Sequence, residues 1–385
     1  MDAEGVPMTG PVDTADVVVV GSGIVGLGAA YAAVRRGLRV IVVDRTDAPV
    51  GATIRNFGHL CIGAQGGEAR RYADLSRELW LRLSRDAGFW LRESGTLVAA
   101  RHHDEVAVLE AAAREGGIRM LDAAELLRLA PLRAGGLVGG AHIESDLQTD
   151  PRTAAPAIVR HLTALGVDFR FRTAVTAVGA GRVETTRGSI DGGEVVVAVN
   201  HDIDQLLPDV AERHGIARCA LDMVRAAVSL PQPLAAPLLT GWSLVRYGRF
   251  AGSAEASALR ERLHTERPDL AALDLNQMYT QLPDGTLIIG DSHATSAAPA
   301  PFQPEAAFAA FLAEAEALFD APPPRVIERW QGVYAKGPQE FLIERGDDGV
   351  LVLAATTGIG MTTGLGLAED NLTAAFGWAA MEGTP

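Results

Sequence analysis

The alternation of apolar runs, glycines and amphipathic segments at the start of the chain predicts a βαβ unit. Residues 17–20 are a β-branched run that is apolar on both faces, which is typical of a buried parallel strand. A helix is predicted over residues 24–36, and a second strand over residues 39–44. The glycines between the first strand and the helix therefore stand where a parallel α/β sheet binds ligands.

Gly21 and Gly23, together with Gly26 in the predicted helix, have the GxGxxG spacing. The first permits a tight turn, the second lets the backbone approach a pyrophosphate, and the third lets the helix pack closely on the strand. Asp44 ends the second strand 18 positions after Gly26, where a carboxylate accepts hydrogen bonds from a ribose. These features predict an adenine dinucleotide. The acid disfavours a 2′-phosphate, so FAD and NAD are favoured over NADP.

A second glycine-rich junction lies near the C-terminus. An apolar strand is predicted within residues 349–355, followed by the turn Gly358-Ile359-Gly360-Met361 and a helix over residues 367–381. A flavoprotein uses such a junction to bring N–H groups to the edge of the flavin that becomes negative on reduction. An NAD-dependent dehydrogenase has no need of it. This junction therefore favours FAD.

These motifs, together with the segment 51–58 and the element 150–152, resemble the D-amino acid oxidase–glycine oxidase–sarcosine oxidase family of FAD-dependent oxidoreductases. The resemblance extends over residues 16–380. It implies an α/β fold in which a Rossmann-type FAD-binding domain is interleaved with an antiparallel-sheet α+β substrate domain. The FAD domain would comprise residues 13–83, 142–216 and 325–385, and the substrate domain residues 84–141 and 217–324.

The motifs and the resemblance together assign a set of residues to the cofactor. These are Gly21, Gly23, Ile24, Gly26, Asp44, Arg45, Thr53, Arg55, Asn56, Gly58, His59, Val175, Gly358, Ile359, Gly360, Met361 and Thr362. Some relatives attach FAD covalently through a histidine or cysteine, and His59 and Cys61 leave that alternative open. Thr362 falls where some relatives place a lysine that assists the reaction with oxygen. The electron acceptor, oxygen or another, therefore stays open.

The resemblance implies removal of a hydride from the carbon beside a small primary or secondary amine, giving an imine that hydrolyses to a carbonyl. Relatives acting on amino acids clamp the carboxylate with an arginine in a W-x-G-x-R-P pattern, but this chain has Tyr334 at that position. Lys336 lies two places on, and Arg225, Arg246 and His293 also offer positive charge.

Four short segments, 55–60, 223–225, 246–247 and 290–293, also resemble a branch of the family associated with phosphonate catabolism. An aminophosphonate is therefore predicted as the preferred substrate. The alternatives are oxidation of an amino acid or a 2-hydroxy acid, or tailoring of a natural-product intermediate.

The residues predicted to act on substrate divide into two groups. The catalytic group is His59, Tyr334 and Lys336, and the substrate-binding group is Arg225, Arg246, Tyr247, His293 and Thr362. Structural alternatives remain for several of them. Arg246 and Tyr247 also suit an exposed strand edge, His293 a turn, and Lys336 a solvated loop.

The composition of the chain limits which classes of partner it can bind. The formal net charge is −14, which argues against nucleic acid and anionic membrane surfaces, where phosphates would be repelled. Two cysteines in 385 residues exclude a disulfide scaffold and a CxxC zinc site, and they fit a reducing cytoplasm. The weakly polar stretch 351–368 is interrupted by glycines and threonines, so stable membrane insertion is not expected. No metal is predicted, and the oligomeric state is left open.

Overall fold

Three β-sheets organise residues 13–379, the part of the chain that this computed structural model describes. The strands are β1 (Asp13–Val20), β2 (Val40–Val43), β3 (His59–Leu60), β4 (Leu91–Arg92), β5 (Thr96–Ala100), β6 (Ile118–Leu121), β7 (Gly139–Ile143), β8 (Leu147–Thr149), β9 (Asp168–Arg170), β10 (Val175–Gly179), β11 (Arg182–Thr185), β12 (Gly188–Val197), β13 (Ala217–Ala227), β14 (Leu238–Leu239), β15 (Met278–Gln281), β16 (Leu287–Gly290), β17 (Ala294–Ser296), β18 (Arg325–Lys336), β19 (Phe341–Arg345) and β20 (Leu351–Ala355).

Thirteen helices and two short 3₁₀ turns, Ala52–Ile54 and Asn200–Asp202, connect these strands within the described part. The helices are α1 (Ile24–Val34), α2 (Gly67–Ala87), α3 (His103–Ala113), α4 (Ala123–Leu129), α5 (Pro151–Ala164), α6 (Ile203–Leu206), α7 (Pro208–Arg213), α8 (Gly241–Leu244), α9 (Gly248–Ala251), α10 (Ala254–Glu266), α11 (Pro268–Ala272), α12 (Glu305–Leu318) and α13 (Gly360–Ala375).

The first sheet has eight strands and a parallel centre. Strand β1 pairs in parallel with β2 on one side and β12 on the other, β2 continues to β9, and β12 pairs with β20. Strands β10, β11 and β19 add antiparallel pairs. The run of valines in β1 is fully buried, as a central parallel strand requires. The predicted Rossmann-type domain is confirmed.

Helix α1 lies unusually close to β1 and to α13. A Cβ at Gly26 would stand 2.0 Å from the Gly21 carbonyl oxygen, and one at Gly28 would stand 3.1 Å from the Ala368 side chain. Ten of the eleven α1 residues are buried, because the helix packs on the sheet and on α13 at once. The predicted role of Gly26 in close helix packing therefore matches the structure.

The second sheet has nine strands and is almost entirely antiparallel. Its order is β17-β13-β16-β15-β14-β5-β7-β6, with β18 paired along β13, and only β5 and β14 run parallel among the described pairs. Helices α3 and α12 pack against it, and α10 packs on α3. The predicted antiparallel α+β unit is confirmed. A small third sheet, β3-β8-β4, joins segments 59–60, 147–149 and 91–92.

Two predicted domain boundaries fall beside or within strands of the second sheet. Strand β18 pairs with β13 from Ala217 opposite Lys336 to Ala227 opposite Arg325, so residues 325–336 join the antiparallel sheet. Strand β7 likewise extends this sheet past residue 142. In both cases, antiparallel pairing with a neighbouring strand places the segment in the second sheet. Residues 380–385 of the predicted FAD domain lie outside the described residues.

The C-terminal helix also begins earlier than predicted, at Gly360 instead of residue 367. Met361, Thr362 and Thr363 therefore lie in its first turn and not in the preceding loop. Between residues 13 and 379, none of the helices combines the length and the apolar character needed to cross a bilayer.

Candidate active site

A cavity of about 970 Å³ extends from the carboxyl ends of β1 and β2 to the antiparallel sheet. Its lining includes Gly21 and Asp44 from the first sheet, Gly358 before α13, and Arg246 and His293 from the second unit. Ligands of parallel α/β sheets bind at the carboxyl ends of the strands, so the position of this cavity suits a dinucleotide.

Asp44 is fixed in place at one end of the cavity. The backbone N–H and hydroxyl of Ser22 donate to its Oδ2 at 2.7 and 2.6 Å, and those of Thr46 donate to its Oδ1 at 2.9 and 2.7 Å. Four donors hold the carboxylate in a single orientation at the end of β2. This arrangement suits the ribose contact that the sequence predicts for Asp44.

The glycine-rich turn offers backbone rather than side chains to the cavity. Gly21 has φ 103°, and a Cβ there would stand 2.6 Å from the Ala198 carbonyl oxygen. The Ile24 N–H, at the start of α1, donates to Thr53 Oγ1 at 2.8 Å, which ties the 3₁₀ turn to the helix. A diphosphate approaching this turn meets a helix N-terminus and no bulky side chain.

The N-terminus of α13 forms the middle of the cavity. Gly358 has φ 80°, and a Cβ there would stand 3.1 Å from Tyr334 Cζ, so the tyrosine ring packs directly on this glycine. Thr362 lines the cavity, and its Oγ1 accepts the Cys61 N–H at 3.1 Å. The helix start, Tyr334 and the β3 segment are thus locked together.

Nearly all residues predicted to bind the cofactor line this cavity. They are Gly21, Gly23, Ile24, Asp44, Arg45, Thr53, Arg55, Asn56, His59, Val175, Gly358, Ile359, Gly360, Met361 and Thr362. Gly26 and Gly58 do not line it. A Cβ at Gly58, where φ is 66°, would stand 1.9 Å from the Thr149 carbonyl oxygen, so this glycine lets two chain segments approach.

His59 borders the cavity, but its side chain is fully buried in a polar network. Its Nε2 lies 2.5 Å from Thr96 Oγ1, which in turn donates to Asp146 Oδ2 at 2.6 Å. Its Nδ1 lies 3.2 Å from both Cys61 Sγ and Met278 Sδ. Protein groups surround both ring nitrogens. The predicted catalytic role of His59 therefore gains no direct geometric support.

The other end of the cavity gathers five of the predicted substrate residues: Arg246, Tyr247, His293, Tyr334 and Lys336. Arg246 donates from Nη1 to the carbonyl and the carboxylate of Asp274, at 3.1 and 2.6 Å. Its Nε and Nη2 have no hydrogen-bond partner among residues 13–379. The ammonium group of Lys336 makes neither a hydrogen bond nor an ion pair with the described residues. Both cations are therefore available to an anion.

His293 lines the cavity but does not supply the positive charge that the sequence suggested. Burial, and secondarily the charge of Arg246, lowers the pKa of this imidazole to about 3. Its Nδ1 lies 2.9 Å from the Asp274 carbonyl oxygen, so Nδ1 carries the proton and donates. The ring is neutral at physiological pH.

Arg225 does not line the cavity. Its guanidinium is bound to Asp284, to Glu328 at 3.1 Å and to Thr286 at 2.9 Å. These partners hold the guanidinium outside the cavity, so the prediction that Arg225 binds substrate gains no support from the structure. Leu221 and Met223, which share a face of β13 with Arg225, do line the cavity, so Arg225 lies on the right face but too far along the strand.

Sequence reasoning missed two carboxylates at this end of the cavity, Asp274 and Asp291. Asp291 is only 4% exposed, and burial raises its pKa to about 7. The signal was present, because Asp291 stands in the same tetrapeptide as His293. The motif was considered for cations that bind the substrate anion and not for acceptors that bind the substrate amine.

Comparison with known proteins decides the family. The family model for FAD dependent oxidoreductases matches residues 16–374. The chain belongs to the FAD dependent oxidoreductase family. The predicted resemblance to the D-amino acid oxidase–glycine oxidase–sarcosine oxidase family and the predicted cofactor, FAD, are thereby confirmed, whereas the resemblance to the phosphonate branch stays a prediction. The glycine turn, the fixed Asp44 carboxylate and the α13 N-terminus are the parts of this FAD dependent oxidoreductase that would hold the cofactor.

Two curated relatives and one solved structure illustrate the similarity. A glycine oxidase of Bacillus licheniformis is 26% identical over 197 residues, covering 48% of this chain and 53% of the relative. A D-amino acid dehydrogenase of Chromohalobacter salexigens is 29% identical over 266 residues, covering 50% and 63%. The chain thus spans about half to two thirds of these relatives.

The solved structure is an L-alpha-glycerophosphate oxidase from Mycoplasma pneumoniae with FAD bound. It superposes with a TM-score of 0.77 at 17% identity, over 97% of each chain. This likeness shows that the fold of the oxidoreductase is shared along nearly its whole length.

Proposed function

We propose that this FAD dependent oxidoreductase oxidises the carbon–nitrogen bond of a small primary or secondary amine that carries an anionic group. The observation that carries the proposal is the pairing of available cations, Arg246 and Lys336, with a buried carboxylate, Asp291, in one cavity. A zwitterion carries the complementary charges. When bound, FAD supplies the acceptor for the hydride removed from the substrate.

The cations support the anionic part of the proposal. Asp274 holds Arg246 through a single nitrogen, Nη1. The guanidinium is therefore fixed, and Nε and Nη2 have no partner among the described residues and can donate to a ligand. Lys336 adds a mobile point charge from the end of β18. Both lie near His293, since the charges of both help to lower its pKa. An anion placed beside His293 would meet both donors.

Tyr334 supports a substrate anion other than a plain amino acid carboxylate. Its ring packs on Gly358, and burial raises its pKa well above the ordinary value, so the hydroxyl stays neutral. A neutral hydroxyl donates one hydrogen bond where an arginine fork would donate two. We therefore propose that a phosphonate, with three oxygens for several separate donors, is preferred over a carboxylate.

The amine part of the proposal is supported by the curated relatives, whose names describe a glycine oxidase and a D-amino acid dehydrogenase. The binding end of the cavity is also partly shielded from water, since Asp291 and Tyr334 are buried and Tyr247 is half-buried. Such a site favours the uncharged amine, and a hydride leaves readily from the carbon beside an uncharged amine.

Anaerobic bleaching of the flavin absorbance tests the proposal. Glycine, sarcosine, D-alanine, 2-aminoethylphosphonate and its N-methyl form are mixed with holoenzyme at equal concentrations. We expect the two phosphonates to bleach the flavin faster than the amino acids. Fast bleaching by amino acids with none by phosphonates would overturn the phosphonate preference. Bleaching by 2-hydroxy acids and by no amine would overturn the amine assignment itself.

A further inference from the structure

The Asp291 carboxylate is buried at the cavity and only partly satisfied: hydrogen bonding from the Asn276 side chain favours its ionised form, but one of its oxygens has no donor among the described residues. Its Oδ1 is buried and has no partner among residues 13–379, and its Oδ2 lies 3.5 Å from His293 Nε2. Buried carboxylates are normally hydrogen-bonded and paired, because removing their charge from water is costly. The nearby cation, Arg246, donates from Nη1 to the carboxylate of Asp274 and not to that of Asp291. Because Asp291 lines the cavity, a ligand there can supply the hydrogen bond that the described residues do not.

The tautomer of His293 sharpens this observation. Because its Nδ1–H donates to the Asp274 carbonyl oxygen, its Nε2 carries a lone pair and faces Asp291 Oδ2. Two acceptors face each other when Asp291 is ionised. A proton on Oδ2 would turn the same contact into a hydrogen bond to Nε2. The pair is thus built to receive one proton.

We infer that Asp291, oriented by His293, binds the ammonium group of the substrate and takes its proton. This inference rests on the proposed function and adds the group that generates the neutral amine. In the step, one N–H bond of the ammonium breaks and one O–H bond to Asp291 forms. The electron pair of the broken bond stays on nitrogen, and no electron is gained or lost by the protein.

The charges around Asp291 favour this exchange. The titratable and charged groups that face it are Arg246, Tyr247, Asp274, His293 and Tyr334, with Lys336 beyond His293. Arg246 favours the ionised carboxylate, whereas burial and Asp274 favour the protonated one. The two influences oppose each other, and the pKa of Asp291 at about 7 lets it release or accept a proton near neutrality.

The first experiment measures preference for the amine in anaerobic holoenzyme at pH 6 and pH 8.5. The probes are 2-aminoethylphosphonate and ethylphosphonate, which lacks the amine, and each Kd is read from the flavin spectrum or from saturation of bleaching. In the natural enzyme we expect a preference of about tenfold for the aminated probe at pH 8.5, because a buried charged hydrogen bond is gained. It should shrink at pH 6, where Asp291 is protonated.

In Asp291→Asn the preference should fall to about twofold or less at both pH values, while Kd for ethylphosphonate stays unchanged. Asp291→Glu should restore part of it. The matched control is Asp222→Asn, which changes another buried acid whose pKa is raised by burial but which does not line the cavity. An Asn variant that keeps the preference, or a control that loses it equally, would overturn the inference.

The second measurement addresses proton transfer with the panel amine that bleaches fastest. In Asp291→Asn, bleaching at saturation should be at least about tenfold slower at pH 7.5 and should recover as pH approaches the pKa of the free amine. A slow rate that stays flat with pH would overturn the proton-accepting role. If no amine bleaches the natural enzyme, the proposed function is wrong. The Kd comparison still tests whether Asp291 binds the ammonium group.

Discussion

The two ends of the cavity are built by different means. At the FAD end, the structure offers backbone: Gly21 and Gly23 stand where side chains would collide or fill the cradle. At the substrate end it offers charged and polar side chains from four separate segments, 246–247, 274, 291–293 and 334–336. Backbone cradles depend on local spacing, whereas the substrate end depends on tertiary contacts. The predictions below separate the two ends.

The largest effect is expected from Gly21→Ala. The substituted residue would keep a strained φ of 103° and place its Cβ 2.6 Å from the Ala198 carbonyl oxygen. Strain of this kind costs about 1–3 kcal/mol, so FAD affinity should fall by about tenfold or more. The measurement is Kd for FAD by reconstitution of the flavin-free protein. Gly37→Ala is the control, since φ there is 74° but no atom lies within 4 Å of the added Cβ.

Next is Arg246→Ala, which should affect only the substrate end. Loss of a charged hydrogen bond costs about 1.5–3 kcal/mol, so KM for an anionic amine should rise by about tenfold or more with FAD retained. Arg225→Ala is the matched control, because that guanidinium is bound to Asp284 and Glu328 away from the cavity. Equal effects of the two variants on KM would contradict the assignment of the substrate end.

Gly358→Ala tests the junction between the two ends and should have an intermediate effect. The left-handed φ of 80° and the contact at 3.1 Å with Tyr334 Cζ would displace either the turn or the ring. A cost of about 1–2 kcal/mol should lower both FAD affinity and kcat/KM severalfold. Gly349→Ala is the control, with φ 79° and open space around the added Cβ. A change in only one of the two constants would show that the ends are independent.

The smallest effect concerns stability. Since burial raises the pKa of Asp291 from 3.8 to about 7, the folded protein binds this proton more tightly than the unfolded chain does. The contribution of this group to stability therefore declines as pH rises from about 4 to 7. Asp291→Asn should remove that decline, so its Tm should exceed that of the natural protein by a few degrees at pH 8. Identical Tm values across this range would contradict the raised pKa.

Local patterns predicted the FAD end well because its chemistry lies in contiguous segments. The βαβ unit, the role of Gly26 and the cofactor followed from spacing along the chain. The start of α13 at Gly360 was missed, because glycine-rich sequence is typical of turns and only packing against α1 and α2 makes it helical.

The substrate end was predicted only in part. Arg246, Tyr247, Tyr334 and Lys336 were placed at the cavity by resemblance, yet an alternating pattern did not show how far along β13 the cavity reaches, and Arg225 lies beyond it. The neutral state of His293 and the unpartnered Oδ1 of Asp291 arise from burial among the described residues, which no linear motif encodes. Side-chain environment, not residue type, decides the chemistry there.

One measurement tests the central claim most directly: anaerobic flavin bleaching of the holoenzyme by a matched pair, 2-aminoethylphosphonate and 2-hydroxyethylphosphonate. The two compounds share the anion for Arg246 and Lys336 and differ only in the group offered to Asp291. The account predicts bleaching by the amine and none by the alcohol on the same timescale. Bleaching by the alcohol with none by the amine would contradict it.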